Sequence, residues 1–370
     1  EADHGTAVVM ETSTGEIKAI SNLGRTKNGK YYEKLNYAVG ESHEPGSTFK
    51  LMALIRALED KKIDTSQIID TKNGILDFYG RKVRDAKKGG YGKISVAKAF
   101  EVSSNTALVQ VINESYKDNP EKFVDGLFKM NLNQKLGLPI IGEGTPKFTH
   151  PEDKMNWDGL DLPWMAFGYG ISLTPLQILT FYNAIANNGL MIKPRFIKEV
   201  RQYNQTIEKF EREVISESIC SDETISVVKN MMKNVVEKKH GTAHNIYSED
   251  ISLAGKTGTC QKNYVAKDPD KMAYISTFAG YFPADNPKYS CIVVIHEPDK
   301  SVGYYGADVS GPVFKSMAQK IHAISPMVDE VESDMIEDVK LDENYQQYFA
   351  EAQKKFSTVP NVKGMSGMDA

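Results

Sequence analysis

The chain has 370 residues, of which 41% are hydrophobic and 25% are charged, so it can form one large globular domain or two ordinary ones. Lys and Arg number 45 and Asp and Glu 49, which gives a net charge of −4. Without a basic excess to neutralise phosphates, a nucleic-acid partner is not expected. Three cysteines cannot make a dense disulfide framework, and no apolar run approaches the roughly 18 residues of a transmembrane helix.

Strand patterns lie at both ends of the chain. Residues 5–11 and 16–21 flank Ser13-Thr14-Gly15 and predict a β-hairpin, and the polar stretch 22–46 predicts a loop. Apolar periodicity predicts helices over 49–60, 94–115, 120–130, 175–188 and 222–239. The last part of the chain predicts strands over 252–259, 273–282 and 289–297 and then a helix over 311–324. This order predicts an α+β fold, in which an antiparallel sheet flanked by helices holds an inserted helical subdomain.

We expect the first 325 residues to form the main domain. Eight acidic residues and one lysine between Asp329 and Glu343 are typical of a solvated linker or helix face, so 326–355 is predicted to be an acidic linker or docking helix. The remaining 356–370 is too short to fold alone. We also expect the chain to be a piece of a longer protein, with any anchor outside it.

Ser47-Thr48-Phe49-Lys50 is the first candidate for chemistry. A serine at the first turn of a helix and a lysine one turn later share one face, so Ser47 could act as a nucleophile with Lys50 as its base. The alternative is an ordinary helix-capping serine. The same S-x-x-K pattern recurs at Ser95 and Ser226, but only Ser47 follows a Pro-Gly break and opens a strongly apolar helix.

Two further motifs follow. Ser103-Ser104-Asn105 offers a hydroxyl for proton relay and a carboxamide for a substrate amide, although a polar capping cluster would look the same. In Lys256-Thr257-Gly258-Thr259, a cation and a hydroxyl on an edge strand could bind an anionic group, and Gly258 could let a substrate lie against the strand. A phosphate-binding loop is disfavoured, because position 250 is Asp and no helix follows.

The three motifs in this order are far more specific than any one of them. S-x-x-K, S-x-N and K-T-G resemble the active-site set of penicillin-binding proteins and class A β-lactamases. Over about residues 5–325 the chain resembles the transpeptidase domain of class B penicillin-binding proteins. The segment 168–177 is similar to the part that precedes a helix under the active site in this family, and the tail 359–365 resembles the start of a PASTA module. The tail and the Ser-Ser-Asn form resemble the cell-division type.

The resemblance implies a serine acyl-transferase acting on peptidoglycan stem peptides that end in D-alanyl-D-alanine, and inhibited by β-lactam antibiotics. Ser47 is the implied nucleophile and Lys50 the base. Ser103, Asn105 and Lys256 complete the implied catalytic set, and Thr257, Gly258 and Thr259 the substrate-binding set. The implied oxyanion hole is the backbone N–H groups of Ser47 and Thr259. No metal or cofactor is implied.

The resemblance also implies an extracytoplasmic location with an N-terminal membrane anchor outside this chain, and partners that include a membrane glycan polymerase and division proteins. Three rival functions remain: a β-lactamase, a D-alanyl-D-alanine carboxypeptidase and a non-catalytic β-lactam sensor. A β-lactamase is disfavoured, because no Glu-x-x-Leu-Asn run lies between the second and third motifs. Cys260 departs from the small residue expected after K-T-G-T, and we predict that it is buried rather than reactive.

Overall fold

The computed structural model describes residues 1–203, 205–262 and 272–324. The strands in these ranges are β1 (His4–Glu11), β2 (Ile17–Arg25), β3 (Tyr31–Glu33), β4 (Ile68–Asp70), β5 (Ile75–Phe78), β6 (Arg81–Arg84), β7 (Lys93–Ser95), β8 (Met191–Ile192), β9 (Glu199–Gln202), β10 (Gln205–Lys209), β11 (Val214–Ser216), β12 (Ala254–Lys262), β13 (Ala273–Phe282) and β14 (Tyr289–His296). The α-helices are α1 (Tyr37–Gly40), α2 (Lys50–Glu59), α3 (Val96–Glu101), α4 (Asn105–Tyr116), α5 (Pro120–Lys129), α6 (Asp161–Met165), α7 (Pro175–Ala186), α8 (Asp222–Glu237) and α9 (Ser310–Ile324). Short 3₁₀ helices cover Gly46–Thr48 and His244–Ile246.

A six-stranded antiparallel sheet joins the two ends of the chain in the order β12-β13-β14-β1-β2-β3. The first strand lies inside the sheet, because β1 pairs with β2 on one side and with β14 on the other. Val8, Val9 and Met10 of β1 are buried in succession, as expected for a strand covered on both faces. The predicted α+β fold, with a sheet closed by both terminal hairpins, is confirmed.

Two predicted segments differ from the structure. The polar stretch 22–46 is not all loop, since β2 continues to Arg25 and β3 and α1 follow. Its polar character is partly structural: the buried Asn22 side chain accepts hydrogen bonds from Thr6 Oγ1 at 2.9 Å and from the Ala38 N–H at 3.0 Å. The predicted helix 94–115 begins instead as strand β7 and is then broken between α3 and α4.

Helix α7 forms the centre of the core, and every one of its residues is buried. It starts with a capping box, in which Thr174 and Gln177 satisfy each other's backbone N–H groups. From its buried face, Tyr182 donates a hydrogen bond of 2.9 Å to the carbonyl of Thr48, and Asn183 donates one of 3.1 Å to the carbonyl of Thr12. Helix α7 therefore fixes the 3₁₀ turn Gly46–Thr48 relative to the sheet.

Residues Glu1–Pro326 form one compact unit. The extent of the main domain over the first 325 residues stays a prediction. The predicted linker 326–355 and the short segment 356–370 lie outside the described residues, so both remain predictions. None of the helices in the described ranges has the length and apolarity that a bilayer span requires.

The close approach of Gly168 to Gly46 leads to a stability prediction. Both Gly168 (φ +86°) and Gly170 (φ +73°) are left-handed, but a Cβ at Gly168 would lie 2.1 Å from the Gly46 carbonyl oxygen, whereas one at Gly170 would meet nothing within 4 Å. Gly168→Ala and Gly170→Ala should each lower the free energy of unfolding by about 1 kcal/mol through backbone strain. Gly168→Ala should cost about 1–3 kcal/mol more through the clash. Chemical denaturation of both variants measures the difference, and equal losses would contradict the packing.

Candidate active site

The three motifs, far apart in sequence, meet at one cleft of about 880 Å³. Five of the predicted residues line it: Ser47, Ser103, Asn105, Thr257 and Thr259. Lys50 and Lys256 lie beneath this surface, since both side chains are fully buried. The structure thus brings together the residues that the sequence singled out as one candidate site.

Ser47 lies on the 3₁₀ turn Gly46–Thr48, just before α2 begins at Lys50. Neither the turn nor α2 has a side-chain cap, so the alternative reading of Ser47 as an ordinary capping serine is not supported. Buried contacts of Thr48 fix this turn. The Thr48 hydroxyl donates to the Pro45 carbonyl at 2.8 Å, and the Thr48 carbonyl accepts a hydrogen bond from Tyr182. Ser47 itself is half-buried and faces the cleft.

The Lys50 ammonium contacts the second motif. Its Nζ donates to the Ser103 carbonyl at 2.8 Å, to Ser103 Oγ at 3.1 Å and to Asn105 Oδ1 at 2.6 Å. These three acceptors match the three N–H donors of an ammonium group. Asn105 is oriented by its other end, where Nδ2 donates to the Arg84 carbonyl at 2.8 Å.

Burial lowers the pKa of Lys50 to about 7, because desolvation disfavours the charged amine. The carboxylate of Asp85 opposes this shift. Near neutral pH a substantial fraction of Lys50 is therefore uncharged, which is the state that a base requires.

The S-x-N motif occupies the break between α3 and α4. Ser103 has φ +56°, a left-handed backbone conformation that residues other than Gly rarely adopt. Ser104 caps α4 by accepting a hydrogen bond from the Ala107 N–H at 3.1 Å. This turn presents the carbonyl and hydroxyl of Ser103 to Lys50. The left-handed backbone of Ser103 thus lies at the point where the Lys50 side chain is hydrogen-bonded.

Asp85 is a residue that the sequence reasoning missed. It follows strand β6, lines the cleft and accepts hydrogen bonds from Ser104 Oγ at 3.0 Å and from Thr106, through N–H at 2.9 Å and Oγ1 at 2.7 Å. It therefore fixes the S-x-N turn and adds a negative charge at the start of α4, where a helix favours one. Nothing in the surrounding Lys- and Gly-rich sequence distinguishes Asp85 from a solvated aspartate.

Strand β12 is one of the two edge strands of the sheet, and its residues Thr257 and Thr259 line another wall of the cleft. Its Lys256 side chain lies 5.5 Å from the centre of the Phe100 ring, and Nζ is 3.3 Å from the Thr257 carbonyl oxygen. Burial holds the pKa of Lys256 well below its usual value, and the nearby charge of Lys50 lowers it further. Thr257 Oγ1 is 2.9 Å from the hydroxyl of Thr242, a second cleft-lining residue that the sequence analysis did not identify.

Gly258 has a packing role in the structure. A Cβ there would lie 2.9 Å from Thr48 Cγ2 and 3.3 Å from the Pro45 carbonyl oxygen, so the glycine lets the 3₁₀ turn Gly46–Thr48 approach the strand. A Cβ at Gly46 would lie 3.3 Å from the Thr259 carbonyl oxygen. The backbones next to Ser47 and at Thr259 are therefore neighbours, as a shared oxyanion hole requires.

The other two S-x-x-K serines have structural positions. Ser95 caps α3 by accepting from the Lys98 N–H at 3.1 Å, and Ser226 lies within α8 on its exposed side.

Cys260 is 3% exposed, which confirms the predicted burial, and burial together with Glu44 raises the pKa of its thiol. Both effects favour the protonated thiol over the thiolate.

Comparison with known proteins agrees with this geometry. The family model for the penicillin binding protein transpeptidase domain matches residues 5–319. The chain is 28% identical to penicillin-binding protein PbpB of Mycolicibacterium smegmatis over 86% of this chain and 50% of that protein. It is 27% identical to stage V sporulation protein D of Bacillus subtilis, over 98% and 54% of the two chains. It is 29% identical to peptidoglycan D,D-transpeptidase FtsI of Buchnera aphidicola, over 87% and 54%.

Among solved structures, the transpeptidase domain of Burkholderia pseudomallei penicillin-binding protein 3 has the same fold, with a TM-score of 0.73 and 24% identity over 88% of this chain and 89% of that one. The chain spans about half the length of the curated relatives it matches. The family match, in contrast, covers nearly all of the described residues, including all three motifs. The chain belongs to the family of penicillin-binding protein transpeptidase domains.

Proposed function

We propose that the protein is a class B peptidoglycan D,D-transpeptidase that cross-links stem peptides through an acyl-enzyme on Ser47. The observation that carries this proposal is the contact of Lys50 with Ser103 and Asn105 below a half-exposed Ser47, beside the K-T-G strand. The relatives named as D,D-transpeptidases, such as FtsI of Buchnera aphidicola, support the same reaction.

The hydrogen bonds of Lys50 define how it would serve as a base. A neutral amine has two N–H donors and one lone pair. The Ser103 carbonyl and Asn105 Oδ1 can only accept, so they take the two N–H groups. The lone pair is then left for a hydroxyl, either that of Ser47 in the attack or that of Ser103 as a relay. Neutral Lys50 therefore keeps its two obligatory acceptors satisfied while it takes a proton.

The reaction follows from this arrangement. Ser47 Oγ loses its proton to Lys50 and attacks the carbonyl of the penultimate D-alanine, and the oxyanion forms against the N–H groups of Ser47 and Thr259. The terminal D-alanine leaves with a proton returned by Lys50 or Ser103. An amine from a second stem peptide then attacks the ester carbonyl and gives up a proton to Lys50. The C–O bond to Ser47 breaks, and the proton passes to Ser47 Oγ, which regenerates the serine and releases the cross-linked peptide.

The K-T-G strand would bind the terminal carboxylate of the donor peptide. The hydroxyls of Thr257 and Thr259 line the cleft, and each is held in place, the first near Thr242 Oγ1 and the second by accepting from the Gly306 N–H at 3.1 Å. Lys256 lies behind them and adds positive potential when it is protonated. Asn105 would orient the peptide amide.

We further propose a role in cell division, an extracytoplasmic location and a PASTA-like start at the C-terminus. The relatives FtsI and stage V sporulation protein D support the division role and the location. The match to stage V sporulation protein D covers 98% of this chain. A glycan polymerase and division proteins are the partners that this role implies. β-Lactams, which mimic D-alanyl-D-alanine, are the expected covalent inhibitors.

Ser47→Ala should abolish covalent labelling by penicillin and change the free energy of unfolding by no more than about 0.5 kcal/mol, because the hydroxyl caps no helix. Intact-protein mass spectrometry after incubation with a β-lactam checks this. The unmodified chain should carry one slowly lost adduct on Ser47. An adduct that persists in Ser47→Ala would refute the assignment, and rapid loss of the adduct would indicate a β-lactamase.

Lys50→Arg and Lys256→Arg form a matched pair, since both lysines are fully buried and the added bulk is similar. Lys50→Arg should nearly abolish acylation, because the guanidinium stays protonated. Lys256→Arg should retain measurable acylation, because a cation for the carboxylate remains. Stopped-flow acylation with a fluorescent penicillin gives both rates, with melting curves as the control for folding. Equal residual rates would contradict the separate roles.

The lowered pKa of Lys50 predicts the pH dependence of acylation. The rate should rise with pH and level off above about 7, since the neutral amine is the active form and dominates above its pKa. Rates of acylation measured from about pH 5.5 to 9 check the direction. A rate that is flat across this range, or that falls as Lys50 loses its proton, would exclude neutral Lys50 as the base.

A further inference from the structure

A cluster of histidines and carboxylates lies outside the active site, where the two terminal strands meet. His4 on β1 and His296 on β14 are directly opposed in the sheet, and their rings stack with centroids 4.1 Å apart. Glu41, which follows helix α1, reaches both: its Oε2 is 2.6 Å from His4 Nε2 and 3.7 Å from His296 Nε2. One ligand atom from each of the three residues can be chosen so that all lie within 4.8 Å of one another.

We propose that His4, Glu41 and His296 form a binding site for one divalent transition metal ion, for which Zn²⁺ is the best match. Two imidazole nitrogens and one glutamate oxygen are a known zinc ligand set. In a tetrahedral site with bonds of about 2.0–2.1 Å, ligand atoms lie about 3.3 Å apart. The Glu41 oxygen lies 2.6 Å from one histidine nitrogen and 3.7 Å from the other, on either side of this value, and all three ligand atoms lie within 4.8 Å. Movements of the three side chains would bring these atoms to tetrahedral spacing around an ion.

The surroundings of His4 supply what metal-ligating histidines require. Its other ring nitrogen, Nδ1, is 2.8 Å from Asp3 Oδ2, so a carboxylate can hold the ring with Nε2 directed at the site. Such carboxylate–histidine pairs orient the ligand and increase its basicity. Asp3 and Glu41 place two carboxylates beside the histidines, and a divalent cation would balance their negative charge.

Buried histidine nitrogens without partners are the second observation. His296 is 2% exposed and His43 is 7% exposed, and in the described structure His296 Nδ1 and both ring nitrogens of His43 have no hydrogen-bond partner. The His43 ring packs edge-on against His296 at 5.2 Å. Unsatisfied buried polar atoms are costly. A metal bound at His296 Nε2, the nitrogen that faces Glu41, would make Nδ1 the N–H of that ring, and a coordinated water would have hydrogens to donate to the neighbouring His43 ring.

The site is accessible from one side and connects distant parts of the fold. The Glu41 side chain is 34% exposed, so an ion and a water ligand can enter there, while the histidines form the buried wall. Glu41 and His43 lie on the segment that leads into the nucleophile turn at Ser47. A bound ion would therefore tie both terminal strands to that segment. The role is structural and does not depend on the proposed acyl transfer.

Metal binding by the 370-residue chain, tag-free and chelator-treated, tests the proposal. Calorimetric titration with ZnCl₂ should show one site, and elemental analysis after gel filtration should find one zinc per chain. Co²⁺ should give the intense visible absorption of a tetrahedral complex, and Zn²⁺ should raise the melting temperature.

Variants locate the site. Glu41→Gln and His296→Gln should each weaken zinc binding by more than tenfold, and Asp3→Asn, which changes no ligand, by about 10–100-fold. His150→Gln is the matched control, because His150 also lies near two carboxylates, those of Asp125 and Glu152, and should leave binding unchanged. If His296→Gln does not fold, the half-exposed Asp3→Asn still reports on the site. Absence of stoichiometric binding, or unchanged zinc affinity in both Asp3→Asn and Glu41→Gln, would overturn the proposal.

Discussion

The hydrogen bonding of the buried Lys50 amine is the interaction on which the site depends. An amine with no exposure to water needs partners for every N–H group, and among the described residues these partners belong to the turn that holds Ser103 and Asn105. The conformation of this turn depends on the left-handed backbone of Ser103, on Ser104 as the cap of α4 and on the carboxylate of Asp85. One buried side chain thus explains why two helices end and begin where they do.

A second constraint comes from placing two lysines below the same cleft. Both are fully buried, and each positive charge would make the other less favourable. The carboxylate of Asp85 acts on Lys50, whereas Lys256 has an aromatic ring and its neighbour's carbonyl as partners. The two amines therefore differ in environment although the residue type is the same, since a carboxylate favours the charged form of Lys50 and burial disfavours that of Lys256.

Much of the fold and the motif positions could be predicted from the sequence, since strand β12, the hairpin of β13 and β14 and the helix after Pro45-Gly46 have strong local patterns. The break at Ser103 could not, because helix-compatible residues lie on both sides and serine is only mildly unfavourable within a helix. Asp85 was missed for a different reason: its partners Ser104 and Thr106 are about twenty residues away and come together only through the hairpin of β5 and β6. The packing role of Gly258 likewise depends on Thr48, which is distant in sequence.

The position of β1 inside the sheet has a consequence for how the protein is made. His4 pairs with His296, so β1 is synthesised well before β14, and its second edge is covered only once β14 has been made. During that time the hairpin of β1 and β2 has an open, apolar edge that could pair with other chains. Pairing over such a sequence separation is slow, because closing a large loop costs entropy before any contact compensates for it. Folding of this domain is therefore expected to be largely post-translational, and chaperones that cover strand edges should matter more for it than for a domain built from local contacts.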